Sequence, residues 1–138
     1  MNDSPPLAEW IVEQTTDAVI YAGHDGTIAR WNQAAATLFG YSAAEACGQN
    51  LDLIIPEHLR AAHWKGFDAA MASGTTRLAG RPALTRAVHK DGSKLYVEMT
   101  FAVVRDDAGV VVGSVAIARD ATERVQRERS AAARPPAP

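Results

Sequence analysis

The chain has 138 residues, 47% of them hydrophobic and 22% charged, with a formal net charge of -2. That length suits one domain with its own core, and the charge lacks the basic footprint that phosphate backbones attract, so a nucleic-acid interface is not expected. Its one cysteine, Cys47, excludes an intramolecular disulfide and a thiolate metal cluster.

No apolar run approaches the roughly 20 residues of a membrane helix. Met1-Asn2-Asp3-Ser4-Pro5-Pro6 also lacks the basic and apolar regions of a secretory signal, and the expectation is a soluble, cytoplasmic protein without a membrane partner. Leu7 to Glu13 reads as a short helix with proline ahead of it. Asp17 to Tyr21 is β-rich, His24-Asp25-Gly26-Thr27 is a turn, and Thr27 to Trp31 is a second strand that closes a hairpin. Asn32 is a good N-cap for a helix over Gln33 to Phe39, which Gly40 ends. Ser42 and Glu45 form a capping box for another short helix, closed by Gly48. Leu51 to Ile55 is apolar and stops at Pro56, and the pattern is helical again to Ser73, with Gly74 as the stop.

The period then changes from helical to alternating. Thr75 to Lys90 reads as a broken strand in which Gly80 and Pro82 mark a bulge or an edge. Asp91-Gly92 is a hairpin signal, and Leu95, Val97, Met99, Phe101 and Val103 are the alternate residues expected to face the core. Asp106-Asp107-Ala108-Gly109 turns the chain into a strand from Val110 to Arg119. Asp120 then caps a helix from Ala121 to Arg129, and Ser130 to Pro138, with nothing to bury, is expected to be disordered. This order describes an α+β fold, an antiparallel sheet with helices gathered on one face.

Leu59, His63 and Phe67 recur one helical turn apart, with Gly66 and Ala70 beside them. The pattern sets one imidazole among apolar residues, as a flat cofactor requires; a histidine packed in an ordinary core fits it too. Cys47 reads as a small packed side chain. His24, His58 and His89 read as surface residues, and no pair of histidines has the spacing of a structural zinc site. There is no nucleophile motif, phosphate-binding glycine loop or converging acid pair, so no enzyme is expected.

Several short motifs fall in a fixed order: Asp25-Gly26, Trp31-Asn32-Gln33-Ala34-Ala35, Phe39-Gly40-Tyr41 with Glu45 and Gly48, Pro56-Glu57, Lys90-Asp91-Gly92, and Arg119-Asp120-Ala121-Thr122-Glu123. In that order, from Trp10 to Arg129, the chain resembles the PAS domain. The resemblance implies a five-stranded antiparallel sheet whose inner face and helices enclose a ligand pocket, and a C-terminal helix that passes strain to an effector or a partner subunit. It divides the chain into an N-terminal flanking helix over 1–14, the PAS domain over 15–120, a signalling helix over 121–130 and a disordered tail over 131–138.

The helix around His63 further resembles that of the haem-binding PAS sensors, where a histidine stands in a context like Leu59-Arg60-Ala61-Ala62-His63 with a glycine near Gly74. That resemblance implies haem held by His63 in an apolar slot of Leu59, Phe67, Leu78, Leu84, Met99 and Phe101, with Arg77 and Arg81 on the next strand near the propionates. The same helix motif also resembles PAS domains with no established haem. Arg81 stands where one branch has a methionine as sixth iron ligand, and Ala83 where the rhizobial sensor kinases have an arginine that touches oxygen, so neither pattern of oxygen sensing is complete here. Met99 suits the distal side as a soft thioether and suits the core as filler. Arg77 and Arg81 fit solvated edge-strand charges as well as a binding role. In the light-sensing flavin branch a cysteine directly follows Gly-x-Asn, and here Gly48-Gln49-Asn50 is followed by Leu51.

Two functions follow. One is a sensory domain whose ligand, haem or a small metabolite, shifts the sheet and the helix near Asp120. The other is a cofactor-free module that forms a homodimer through Trp10, Ile11 and the outer sheet face. In both, the output falls to an effector protein or to sequence beyond these residues.

Overall fold

Burial with period two in the last strands decides the architecture. In β4 (Lys94–Arg105) Val97 and Met99 are buried, and in β5 (Val111–Asp120) Ala116 and Ala118 are buried, so each strand has one core face. The computed structural model describes residues 6–133. It adds β1 (Ala18–Gly23), β2 (Ile28–Trp31) and β3 (Ala83–Val88) to a five-stranded antiparallel sheet of order β2-β1-β5-β4-β3. The expected α+β architecture is therefore present.

The inner face is covered by α2 (Gln33–Phe39), α3 (Ala43–Ala46), two single 3-10 turns (Leu51–Ile54 and Glu57–Leu59) and α4 (Arg60–Ser73). The caps explain their limits. Asn32 opens α2 by accepting from Ala35 N, and Gly40 closes it at φ 83, where a residue without Cβ is unstrained. Ser42 and Glu45 form the expected capping box, and Gly74 ends α4 at φ 76.

α1 (Leu7–Gln14) flanks the domain, and none of its residues is buried. α5 (Thr122–Ala133) leaves the end of β5 and buries Val125. It is held to β4 by Ala121 N donating to Tyr96 O at 2.7 Å and by Tyr96 N donating to Thr122 Oγ1 at 3.0 Å.

Four expectations need correction. The segment from Thr75 to Pro82 is a turn and not a strand; Gly74, Ala79 and Gly80 all have positive φ, which breaks the extended path, and pairing begins at Ala83. Ser130 to Ala133 is helical, because three consecutive alanines extend α5 at little entropic cost, while 134–138 lie outside the described residues. Cys47 is exposed, since it follows α3 at its C-terminal cap. His89 is half-buried, with its ring against Gly40 and its Nδ1 accepting from Asp91 N at 3.0 Å.

One side chain joins the layers. Asn32 is 1% exposed; its Oδ1 accepts from Val19 N at 2.9 Å and Ala35 N at 3.0 Å, and its Nδ2 donates to Val12 O at 2.8 Å and Asp17 O at 3.0 Å. Asn32→Ala strands these buried groups, and the expected loss of stability in urea denaturation is about 3 kcal/mol, combining a lost cap with unsatisfied backbone groups.

Candidate functional site

α4 is anchored near both ends. Toward its N-terminus Arg60 donates to Ile55 O at 3.1 Å and to Asp52 O at 3.3 Å, and Trp64 Nε1 donates to Asp52 Oδ1 at 2.8 Å. The Trp64 ring lies against Gly26, at φ 84, where any Cβ would collide with it. At the other end Arg105 donates to Gly74 O and Gly109 O, both at 2.9 Å. Between these anchors the sheet beneath α4 presents alanines: Ala116 on β5 and Ala83 and Ala87 on β3. Small side chains there leave space that the helix does not fill.

Two adjoining cavities result. The larger, of about 450 Å³, is bounded by Ile54, Leu59, Thr85, Met99 and Ala116 among others. The smaller, of about 250 Å³, is bounded by Phe67, Met71, Val103 and Ser114. His63, Ala62, Arg77, Leu78 and Phe101 form walls of both. The larger volume lies within the roughly 300–1,000 Å³ of small-molecule sites.

His63 carries the chemistry of this space. Its ring meets Trp64 edge-on at 4.8 Å between centroids and stacks beside Phe67 at 6.0 Å. Its Nδ1 is buried and has no hydrogen-bond partner among the described residues. Burial pushes its pKa below 6.5, against the weaker pull of Asp52 and Asp68. The imidazole is therefore neutral at pH 7, the form that ligates metals. Among the described residues no three His, Cys, Asp or Glu side chains converge, so a metal here would need a macrocycle to complete its ligands. An apolar slot, a half-buried neutral imidazole whose Nδ1 is buried and an exposed arginine on the wall fit a flat group with a carboxylate edge, and so fit haem.

The expected residues are only partly brought together. Leu59, His63, Phe67, Leu78, Met99, Phe101 and Arg77 line the two cavities. Leu84 does not: it pairs with Glu98 on the outer face and is 51% exposed, because the even residues of β3 point away from α4. Arg81 does not either; it lies in the turn before β3, exposed, with its Nε donating to Leu78 O at 3.1 Å. Arg77 shares that turn and yet reaches the cavity wall. Ala87, Ala116 and Ser114 went unread and Ala83 was read only as a missing arginine, since a small residue that makes room has no motif.

A depressed histidine pKa has a signed consequence. In the pH interval just below 6.5 the unfolded chain binds the proton that folded His63 refuses, so stability falls as pH drops through that interval. Denaturation between pH 7.5 and 5 should show this slope in the natural protein and a shallower one in His63→Leu. Equal slopes would mean that His63 is solvated.

No helix among the described residues is long and apolar enough to cross a membrane. The profile of the PAS fold family matches residues 12–126. The oxygen sensor protein DosP of Escherichia coli is 31% identical over 120 residues, covering 86% of this chain and 15% of that protein. The chain thus spans under a sixth of that relative's length. A PAS domain structure from Colwellia psychrerythraea superposes with a TM-score of 0.75 at 24% identity, covering 86% of this chain and 97% of that one. An RNA-binding light-oxygen-voltage receptor superposes with a TM-score of 0.71 at 24% identity, covering 93% and 39%. These two structures share the fold. With the profile spanning most of the domain, the chain belongs to the PAS family of sensory domains.

Proposed function

We propose that this domain is a sensor that binds haem beneath α4 through His63 and passes the state of that site to α5. The observation that carries the reading is the buried, unpartnered Nδ1 of a neutral His63 on the wall between two cavities. A buried polar atom without a partner needs an explanation, and a ligand in the adjoining space bonded to Nδ1 itself would supply one. The E. coli relative is an oxygen sensor, which supports redox or gas sensing for this chain as well. Haem bound there supplies an iron that responds to electrons and to diatomic gases.

The remaining work falls to the chain. Leu59, Leu78 and Phe101 would give the group apolar walls. Arg77 would pair with a carboxylate of it. Strand β4 then connects the cavity to the exit helix, because its residues alternate. Met99 and Phe101 face the cavity, while Glu98 on the other face pairs with Arg124 at 2.9 Å. The Tyr96 ring lies 4.9 Å from the Arg129 guanidinium. A ligand that favours one position of β4 therefore favours one position of α5, to the extent that it binds the two states unequally.

A second reading, compatible with the first, rests on α1. Leu7, Trp10 and Ile11 are 61%, 49% and 59% exposed on one short helix, an apolar patch suited to a second copy of the chain. Under this reading the natural protein is a dimer by light scattering and Trp10→Glu with Ile11→Glu is a folded monomer; a monomeric natural protein ends it.

Purified protein should take up haem and show a Soret band that shifts on reduction and on addition of CO. In His63→Ala haem affinity should fall more than tenfold while the circular dichroism stays native. A protein that stays colourless with excess haem sinks the haem assignment and turns the cavity over to a small metabolite.

A further inference from the structure

We infer that the free edge of β3 is a docking site for an extended, acidic segment of a partner protein, which adds to the sheet as a further strand. The inference goes beyond the haem reading and does not require it. β3 ends the sheet, so its backbone meets β4 on one side only. The bond from His89 N to Ser93 O fixes the parity of the ladder, so that the odd residues of β3 bond to β4. The N–H and C=O groups of Leu84, Arg86 and Val88 therefore point to the open side, and none has a hydrogen-bond partner among the described residues. Tyr96, opposite Arg86, agrees with this parity: its O accepts from Ala121 N and its N donates to Thr122 Oγ1, both on the side away from β3. The open row is bounded. Pro82 before it has no N–H, and Lys90 after it donates its N–H to Phe39 O at 2.9 Å.

The side chains along this edge select the guest. Residues 69–90 carry four cations, Arg77, Arg81, Arg86 and Lys90, and no Asp or Glu, in a chain whose formal net charge is -2. Of the four, Lys90 alone is paired with a carboxylate among the described residues, that of Glu45. The Arg86 guanidinium stands 5.6 Å from the centre of the Tyr96 ring, on the outer face of the sheet. Edge strands that stay free are commonly guarded by charge, whereas Leu84, on the same face of β3, is 51% exposed. An incoming strand with an apolar side chain opposite Leu84 and an acid two residues along, opposite Arg86, matches both. A nucleic acid would meet the cations and leave the open backbone row and Leu84 unused, so the edge fits a peptide.

The test titrates the full chain, without added haem, with a short fluorescent peptide that repeats valine, threonine, glutamate and threonine. Binding is read by anisotropy, and its place by amide hydrogen exchange. The expected result is saturable binding, with exchange at Leu84 and Arg86 slowed at least tenfold and exchange at Thr85, already bonded to β4, unchanged. Leu84→Pro removes one open N–H without touching the ladder to β4, and should weaken binding at least tenfold. Should that variant misfold, Arg86→Glu should weaken binding severalfold and shift the preference to a peptide with lysine in place of glutamate. The first peptide methylated on the backbone nitrogens of valine and glutamate keeps its charge, loses its ladder donors and should not bind. Equal binding of the methylated peptide, or of a single-stranded oligonucleotide of the same charge, overturns the inference, because the edge is then a basic patch and nothing more. Absence of saturable binding overturns it too. Failure to bind haem leaves these outcomes unchanged, so the two readings stand or fall separately.

Discussion

Where β4 pairs with β5, Met99 lies opposite Ala118 and Phe101 opposite Ala116, so large side chains meet small ones on the inner face. This register is the constraint on which the rest depends. A slip of one residue would turn Met99 and Phe101 outward and Tyr96 and Glu98 inward, exchanging the cavity wall for the helix anchor. The pairing of β1 with β5 holds it in place, setting Ala18 opposite Ala118 and Ile20 opposite Ala116 on the same face. β5 is thus the common reference for both halves of the sheet. It can serve two neighbours because its inner residues are small enough to let side chains from either side cross over them.

Above that sheet α4 behaves like a beam fixed near its ends. The Trp64 and Arg60 contacts with the 3-10 turn at Asp52 set one end, and Arg105 with Gly74 sets the other. Each contact is partly or fully exposed and modest in strength, so none alone holds the span. Because the helix cannot settle onto the alanines without breaking one anchor, the unfilled space persists. Among the strands, β4 both borders the cavity and holds α5.

Much of this was legible in the chain wherever the cause is local. Asn32, the Ser42 and Glu45 box and the Asp91-Gly92 turn are short-range hydrogen-bonding devices, and each appears in its expected place. The inner face of β4 was legible because five alternate residues share one character. β3 has no such alternation: in Ala83-Leu84-Thr85-Arg86-Ala87-Val88 the largest apolar residues fall on the even positions, and only pairing with β4 shows that Ala83, Thr85 and Ala87 share the inner face with Met99, Val97 and Leu95. Leu84 was misplaced for that reason. The turn at Thr75 to Pro82 was hidden by its mixed composition, and its most telling feature, the positive φ of Ala79, belongs to no residue preference. The alanines that open the cavity are legible only in three dimensions, since room is a property of neighbours.

The placement of the tryptophans has an optical consequence. Trp10 stands half-exposed on the flanking helix, Trp31 is 3% exposed in the core beside Phe39, and Trp64, on α4, touches both His63 and Phe67 of the same helix. Each indole samples a different layer: the surface of α1, the packed interior and the seam between α4 and the Gly26 turn. Their emission maxima should differ, because a solvated indole emits at longer wavelength than a buried one. The chain therefore carries three built-in fluorophores, and chains left with one apiece would report separately on the flanking helix, the core and the seating of α4 without an added label.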